Sequence, residues 1–166
     1  MERCEVAGTG GRFERVSDRL YRDVRDSVAG TTDARATVWR WRPAFQADFQ
    51  ARMDWAVRPY AAANHPPVAR VLGEALRVVR AGGRVELDAS RSSDPDGDSL
   101  SYWWYVYPEA GSYRGAVRLE GARTVRATIS APAVEAAATI HLILEISDDG
   151  DPALTRYRRV VFDVRP

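Results

Sequence analysis

From residue 68 onward, apolar and polar residues alternate in short runs. Val85 and Leu87 alternate with Glu86 and Asp88. Leu100, Tyr102, Trp104 and Val106 fall on one face of the next run, with Ser101, Trp103, Tyr105 and Tyr107 on the other. Val125, Ala127 and Ile129 alternate with Arg126 and Thr128, and Ile140, Leu142, Leu144 and Ile146 alternate with His141, Ile143 and Glu145. Val160, Phe162 and Val164 close the series. A period of two marks a half-buried strand. Shorter pieces at 68–72, 76–79 and 117–119 fit the same reading. Asp94-Pro95-Asp96-Gly97-Asp98 and Ser147-Asp148-Asp149-Gly150-Asp151-Pro152 are turns, because Pro, Gly and Asp each favour a reversal. About seven strands at this spacing predict a mainly β fold, an antiparallel sandwich over residues 68–166.

The N-terminal third reads differently. Residues 1–36 hold Gly8, Gly10, Gly11 and Gly30 among alternating Arg and Asp, with few periodic apolar positions. Phe13–Val16 suits one short strand, and Leu20–Val24 suits a turn of helix or a strand. Such a segment buries too little surface to order itself and needs a partner. One helix is expected at about 39–58: Pro43 fits near its start, Phe45, Phe49 and Met53 recur at helical spacing, and Pro59 stops it. That aromatic stripe should lie against a core. Residues 61–67, Ala-Ala-Ala-Asn-His-Pro-Pro, read as an extended linker, with His65 a solvated residue within it. The domains are therefore 1–60, the linker and 68–166.

Composition excludes more than it suggests. The 24 basic and 23 acidic residues nearly cancel, which argues against nucleic acid or an anionic membrane as partner. Every basic residue is Arg, a better stacker on aromatic rings and gripper of carboxylates than Lys. Cys4 is the sole cysteine, so the chain forms no internal disulfide and no thiolate zinc site. No apolar run is long enough for a membrane-spanning helix.

The run Ser92-Ser93-Asp94-Pro95-Asp96-Gly97-Asp98-Ser99-Leu100-Ser101-Tyr102-Trp103-Trp104 resembles the PKD and cadherin-like branch of the immunoglobulin-like folds. A longer resemblance spans both parts of the chain. Gly10-Gly-Arg-Phe13, Thr37-Val-Trp-Arg-Trp-Arg-Pro-Ala-Phe-Gln-Ala-Asp-Phe49, Arg52-Met-Asp-Trp55 and Ala63-Asn-His-Pro-Pro67 occur in that order. Tyr107-Pro-Glu-Ala-Gly-Ser-Tyr113 and Glu145-Ile-Ser-Asp-Asp-Gly-Asp-Pro152 follow. Together they look like the C-terminal part of a bacterial family in which a nucleoside-hydrolase-like domain precedes an immunoglobulin-like one, with members named cellulose-binding proteins. The resemblance implies that 1–60 is the last part of a hydrolase-like domain, and that the protein is secreted or periplasmic. It also implies a non-catalytic accessory role beside an upstream hydrolase-like domain, with a polysaccharide as possible ligand.

Catalytic chemistry finds little support in the residues. Nucleoside hydrolases are known for an N-terminal aspartate cluster that holds calcium, whereas Asp94, Asp96 and Asp98 lie in a turn between two strands. That turn is no EF-hand either, since its Gly is misplaced and position twelve is Tyr105. Two His in unrelated segments make no Ser-His-Asp set. Glu109 is the best general-acid candidate, but no second carboxylate is placed opposite it. For carbohydrate binding, Trp103, Tyr105 and Tyr107 share one outward strand face, and Tyr113 follows nearby. Such a row either stacks on sugar or is covered by the aromatic helix. For metal, Asp94, Asp96, Asp98, Asp148, Asp149 and Asp151 occupy two turns that a sandwich can bring to one end, where Ca²⁺ suits hard oxygen ligands. The alternative is that each Asp bonds only its own turn.

Overall fold

A computed structural model describes residues 13–166. Cys4, Gly8, Gly10 and Gly11 lie outside the described residues. The chain forms two compact units, one ending at Gln50 and one comprising Ala51–Pro166.

In the first unit, β1 (Phe13–Ser17) and β2 (Leu20–Asp23) form an antiparallel hairpin exposed along its whole length. The stretch beginning at Leu20, open between helix and strand from sequence, is a strand. A second hairpin pairs β3 (Asp26–Val28) with β4 (Thr31–Asp33) through a turn in which Ala29 and Gly30 both take positive φ. The single helix expected at 39–58 is two helices, α1 (Ala36–Trp39) and α2 (Arg42–Val57). Pro43 explains the break: it has no N–H to give the carbonyl of Trp39, and its ring would crowd that carbonyl. The expected inward stripe is also corrected, because Phe49 is 64% exposed and Met53 51%.

The second unit holds seven strands in two sheets. β5 (Leu76–Arg80), β7 (Ser101–Val106), β10 (Ala138–Ser147) and β11 (Thr155–Arg165) make one sheet in the order β5-β11-β10-β7. β6 (Arg84–Asp88), β8 (Arg118–Glu120) and β9 (Arg126–Ser130) make the other in the order β6-β9-β8. Both sheets feed one buried cluster, with Leu87, Ala127 and Ile129 from the smaller and Trp104, Leu142, Leu144, Val160 and Phe162 from the larger. The indole of Trp104 also satisfies its N–H, donating to the carbonyl of Thr124 at 3.0 Å. The expected all-antiparallel pairing fails at one place: β5 runs parallel to β11, Leu76 beside Val161 through Arg80 beside Arg165. Parallel neighbours need a long crossover. The chain between the first and last strands, passing through both sheets, supplies it. Residues 68–72 form no strand; Val68 makes a single bridge to Ser93.

Candidate functional site

Two places in the second unit carry the residues singled out from sequence. The first is the outward face of the larger sheet. β7, β10 and β11 lie in register so that Trp103, Glu145 and Tyr157 form a row across three strands. Tyr105, Ile143 and Arg159 form the next row. The Trp103 and Tyr105 rings lie 4.7 Å apart and tilted, and the Arg123 guanidinium sits 4.3 Å above the Trp103 ring. Trp103 remains 37% exposed. Burial pushes the Glu145 carboxyl up, partly offset by the charge of Arg123. Burial also pushes the Tyr157 hydroxyl up, and the charge of Glu145 adds to it. An aromatic platform is thus flanked by a partly desolvated carboxylate, a phenol and a cation.

Tyr107 does not continue that platform. β7 ends at Val106, and Tyr107 leads into a 3-10 turn at Pro108–Ala110, where the bend takes its side chain inside to 1% exposure. Its backbone N–H donates to the carbonyl of His141 at 2.8 Å. Alternation predicted an outward Tyr107 because it assumed the strand ran on through Pro108. Tyr113 is half-buried against the core and leaves no room for a side chain at Gly115. Of the four aromatic residues, the structure brings only Trp103 and Tyr105 together on this face. Glu109 is half-buried in the 3-10 turn and is on none of the platform strands.

The second place is one end of the same unit. Ligand-type oxygens of Asp94, Asp96 and Asp98 all lie within 4.8 Å of one another. Asp94 Oδ1 accepts from the backbone N–H groups of Asp96 at 2.8 Å and Asp98 at 3.3 Å, which shapes the turn. The 148–152 turn meets it: Asp149 Oδ1 accepts from the N–H of Ser99 at 2.8 Å. Asp148 is buried, and its Oδ1 accepts from Asn64 Nδ2 at 3.1 Å, Gly150 N–H at 3.1 Å and Leu154 N–H at 2.8 Å. Burial raises the Asp98 carboxyl, and the charges of Asp94, Asp149, Asp148 and Asp96 raise it further. Asp151 is exposed and is not among those charges.

The segment expected as a solvated linker is fixed at this end. Asp96 accepts from the N–H of His65 at 2.6 Å and lies 3.1 Å from its Nδ1. The imidazole stacks on Tyr60 at 3.7 Å and on Trp55 at 5.6 Å. Trp55 donates its indole N–H to the carbonyl of Asn64 at 2.7 Å. Pro66 disfavours helix for His65 directly before it, and Asn64 and His65 each bond a different acidic turn. Among the described residues, no helix is long and apolar enough to cross a membrane.

Residues 84–164 match the family model of the C-terminal domain of the cellulose-binding protein Sde0182. A nucleoside hydrolase-related protein of Saccharophagus degradans, associated with carbohydrate metabolism, shares 46% identity over 77% of this chain, with a TM-score of 0.72. This chain spans 33% of that protein's length. A PKD domain from the KIAA 1837 protein overlaps 59% of this chain and 89% of its own length, with 20% identity and a TM-score of 0.41. A three-repeat fragment of protocadherin gamma C5 overlaps 60% of this chain and 33% of its own length, with 18% identity and a TM-score of 0.35. No curated protein sequence matches the chain. Over residues 84–164, the β-rich body that carries both candidate places is thus similar to the C-terminal domain of the Sde0182 cellulose-binding protein.

Proposed function

We propose that this chain is a non-catalytic accessory module of an extracytoplasmic, polysaccharide-associated protein, and that it binds a cellulose-like glucan through the Trp103–Tyr105 platform. In this reading residues 1–60 are the end of a nucleoside-hydrolase-like domain, 61–67 join the parts, and 68–166 are an immunoglobulin-like sandwich. The strand order supports the fold assignment: three strands face four across one core, with an inward Trp on the third strand of the set, as in immunoglobulin-like domains. The observation that carries the binding reading is the pair of neighbouring rings, Trp103 still exposed, with Glu145 opposite Trp103 in the ladder. The apolar face of a pyranose stacks on such rings, while a carboxylate and an arginine beside them take its hydroxyl groups.

The test is depletion of the whole chain from solution by microcrystalline cellulose, beside chitin and starch. Cellulose should remove the protein, and Trp103→Ala should abolish most of that removal without altering the fold. Equal retention of wild type and Trp103→Ala would sink the platform reading. A second reading, part of a glycosidic-bond hydrolase whose catalytic portion is not in this chain, is favoured by one observation. The Saccharophagus relative is about three times as long as the stretch shared with it. Activity of that kind would reside in the hydrolase-like portion and not in the sandwich.

A further inference from the structure

Glu145 carries a charge where the packing of the sheet gives no reason for one. The run of β10 from Ile140 to Ile146 is otherwise apolar apart from His141, and Glu145 faces outward, opposite Trp103 on β7 and Tyr157 on β11. Two influences act on its carboxyl, burial and the charge of Arg123, and among the described residues no group donates a hydrogen bond to it. Other half-buried carboxylates of this unit have donors: Asp88 accepts from Ser90 and Arg126, and Asp163 from Arg165. A half-buried carboxylate without a donor weakens the fold, and groups of that kind concentrate at functional sites. This one lies beside an exposed indole.

Its surroundings narrow the kind of ligand. A carboxylate accepts hydrogen bonds and cannot donate them, so it calls for a ligand that brings donors. Hydroxyl groups on the rim of a sugar stacked on Trp103 are such donors. The Arg123 guanidinium lies 4.3 Å above the Trp103 ring. Its backbone is pinned to β7, because Trp104 donates its main-chain N–H to the carbonyl of Ala122 at 2.8 Å and its indole N–H to that of Thr124 at 3.0 Å. The charge of Arg123 offsets only part of the effect of burial on Glu145. A second carboxylate, brought by the ligand, would leave two anions sharing one cation in partly desolvated surroundings, where like charges a few ångströms apart repel strongly. Given the Trp103–Tyr105 platform as the glucan site, on which this inference rests, we propose that Glu145 is its specificity-determining residue. It accepts hydroxyl hydrogen bonds from an uncharged glucan seated on Trp103 and excludes the same chain when its sugars carry carboxylates.

The experiment is calorimetric titration of the whole chain with cellohexaose and with the same hexamer oxidised to carboxylates at its primary hydroxyl carbons. Wild type should bind the oxidised hexamer at least about tenfold more weakly than cellohexaose. Glu145→Gln keeps the shape and an acceptor and adds a donor, so it should bring the two affinities to within about threefold of each other. That variant should melt at least as high as wild type, which separates a lost preference from a lost fold. Arg123→Gln should keep or widen the preference, because it removes the charge that partly offsets the burial of Glu145. Equal affinity of wild type for the two hexamers, tighter binding of the oxidised one, or an undiminished preference in Glu145→Gln would overturn the role of Glu145 and leave the platform standing. Failure of wild type to bind either hexamer, or unchanged binding in Trp103→Ala, would instead remove the platform and this inference with it.

Discussion

Asn64 and Asp148 are 84 residues apart in sequence, and the carboxamide of one donates to the buried carboxylate of the other at 3.1 Å. The same nitrogen donates to the carbonyl of Pro152 at 2.9 Å, so Asn64 grips the 148–152 turn at both ends. Any side chain at Gly150 would collide with that carboxamide.

Asn64→Ala should therefore destabilise the second unit by about 1–3 kcal/mol, the cost of losing a buried polar bond with one partner left behind. Gly150→Ala should destabilise it as well, by displacing Asn64. The double variant should lose less than the sum of the two, because both act on one contact. Denaturant melts of the three variants provide the cycle. Strict additivity would show that Asn64 and Gly150 act separately.

Trp103 and Trp104 offer a sharper contrast between adjacent positions. Trp104 is 1% exposed, packs with both sheets and bonds Thr124. Trp104→Ala should cost about 3–5 kcal/mol, as large aromatic truncations in a core do. Trp103→Ala removes a half-covered ring and should cost about 1 kcal/mol or less, within the range of surface changes. Equal losses in urea melts would place the wrong tryptophan in the core.

Two carboxylates give stability opposite dependences on pH. Hydrogen bonds from Ser90, then the bond from Arg126, hold the Asp88 carboxyl down at about 2. A depressed acid contributes stability above its unfolded value of about 3.9, and that contribution is lost as pH falls toward 2. Glu145 is raised by burial, so its charged form opposes folding at neutral pH, and protonation removes that opposition as pH falls through its folded value. Melting temperature followed from pH 7 to pH 2 should therefore fall less steeply at the acid end in Asp88→Asn. Glu145→Gln should raise it at neutral pH and remove the gain on mild acidification. Profiles parallel to wild type in both variants would contradict these assignments.

The strands were legible because one buried face repeats with period two: Leu87, Ile129, Leu142, Phe162 and Val164 all lie in the interior. Tyr107 was not, since a local bend at Pro108 overrides the alternation. The helix misled for another reason. It carries large apolar residues on more than one side, and tertiary packing chooses Ala51 and Trp55 while leaving Phe49 and Met53 exposed. The partners of the aromatic platform, Glu145, Tyr157 and Arg123, went unread because register between strands is not written in any one of them. A hint existed in Glu145, a lone carboxylate within the apolar run of β10. The aspartate turns were visible as chemistry. The buried, unpartnered Oδ2 atoms of Asp94 and Asp148 emerge only once Asn64 and the turn donors are in place.

The parallel pairing of β5 with β11 bears on how the module would carry tension. The N-terminal end of β5 and the C-terminal end of β11 lie at opposite ends of one ladder, with five residues of each strand paired from Leu76–Val161 to Arg80–Arg165. Pulling the two ends of the second unit apart slides these strands along each other, so the ladder's bonds are loaded together instead of opening one at a time. β11 is also held on its other side by β10 over ten residue pairs. Tension applied between these two ends would meet the ladder in shear, the direction in which a ladder of this kind yields last.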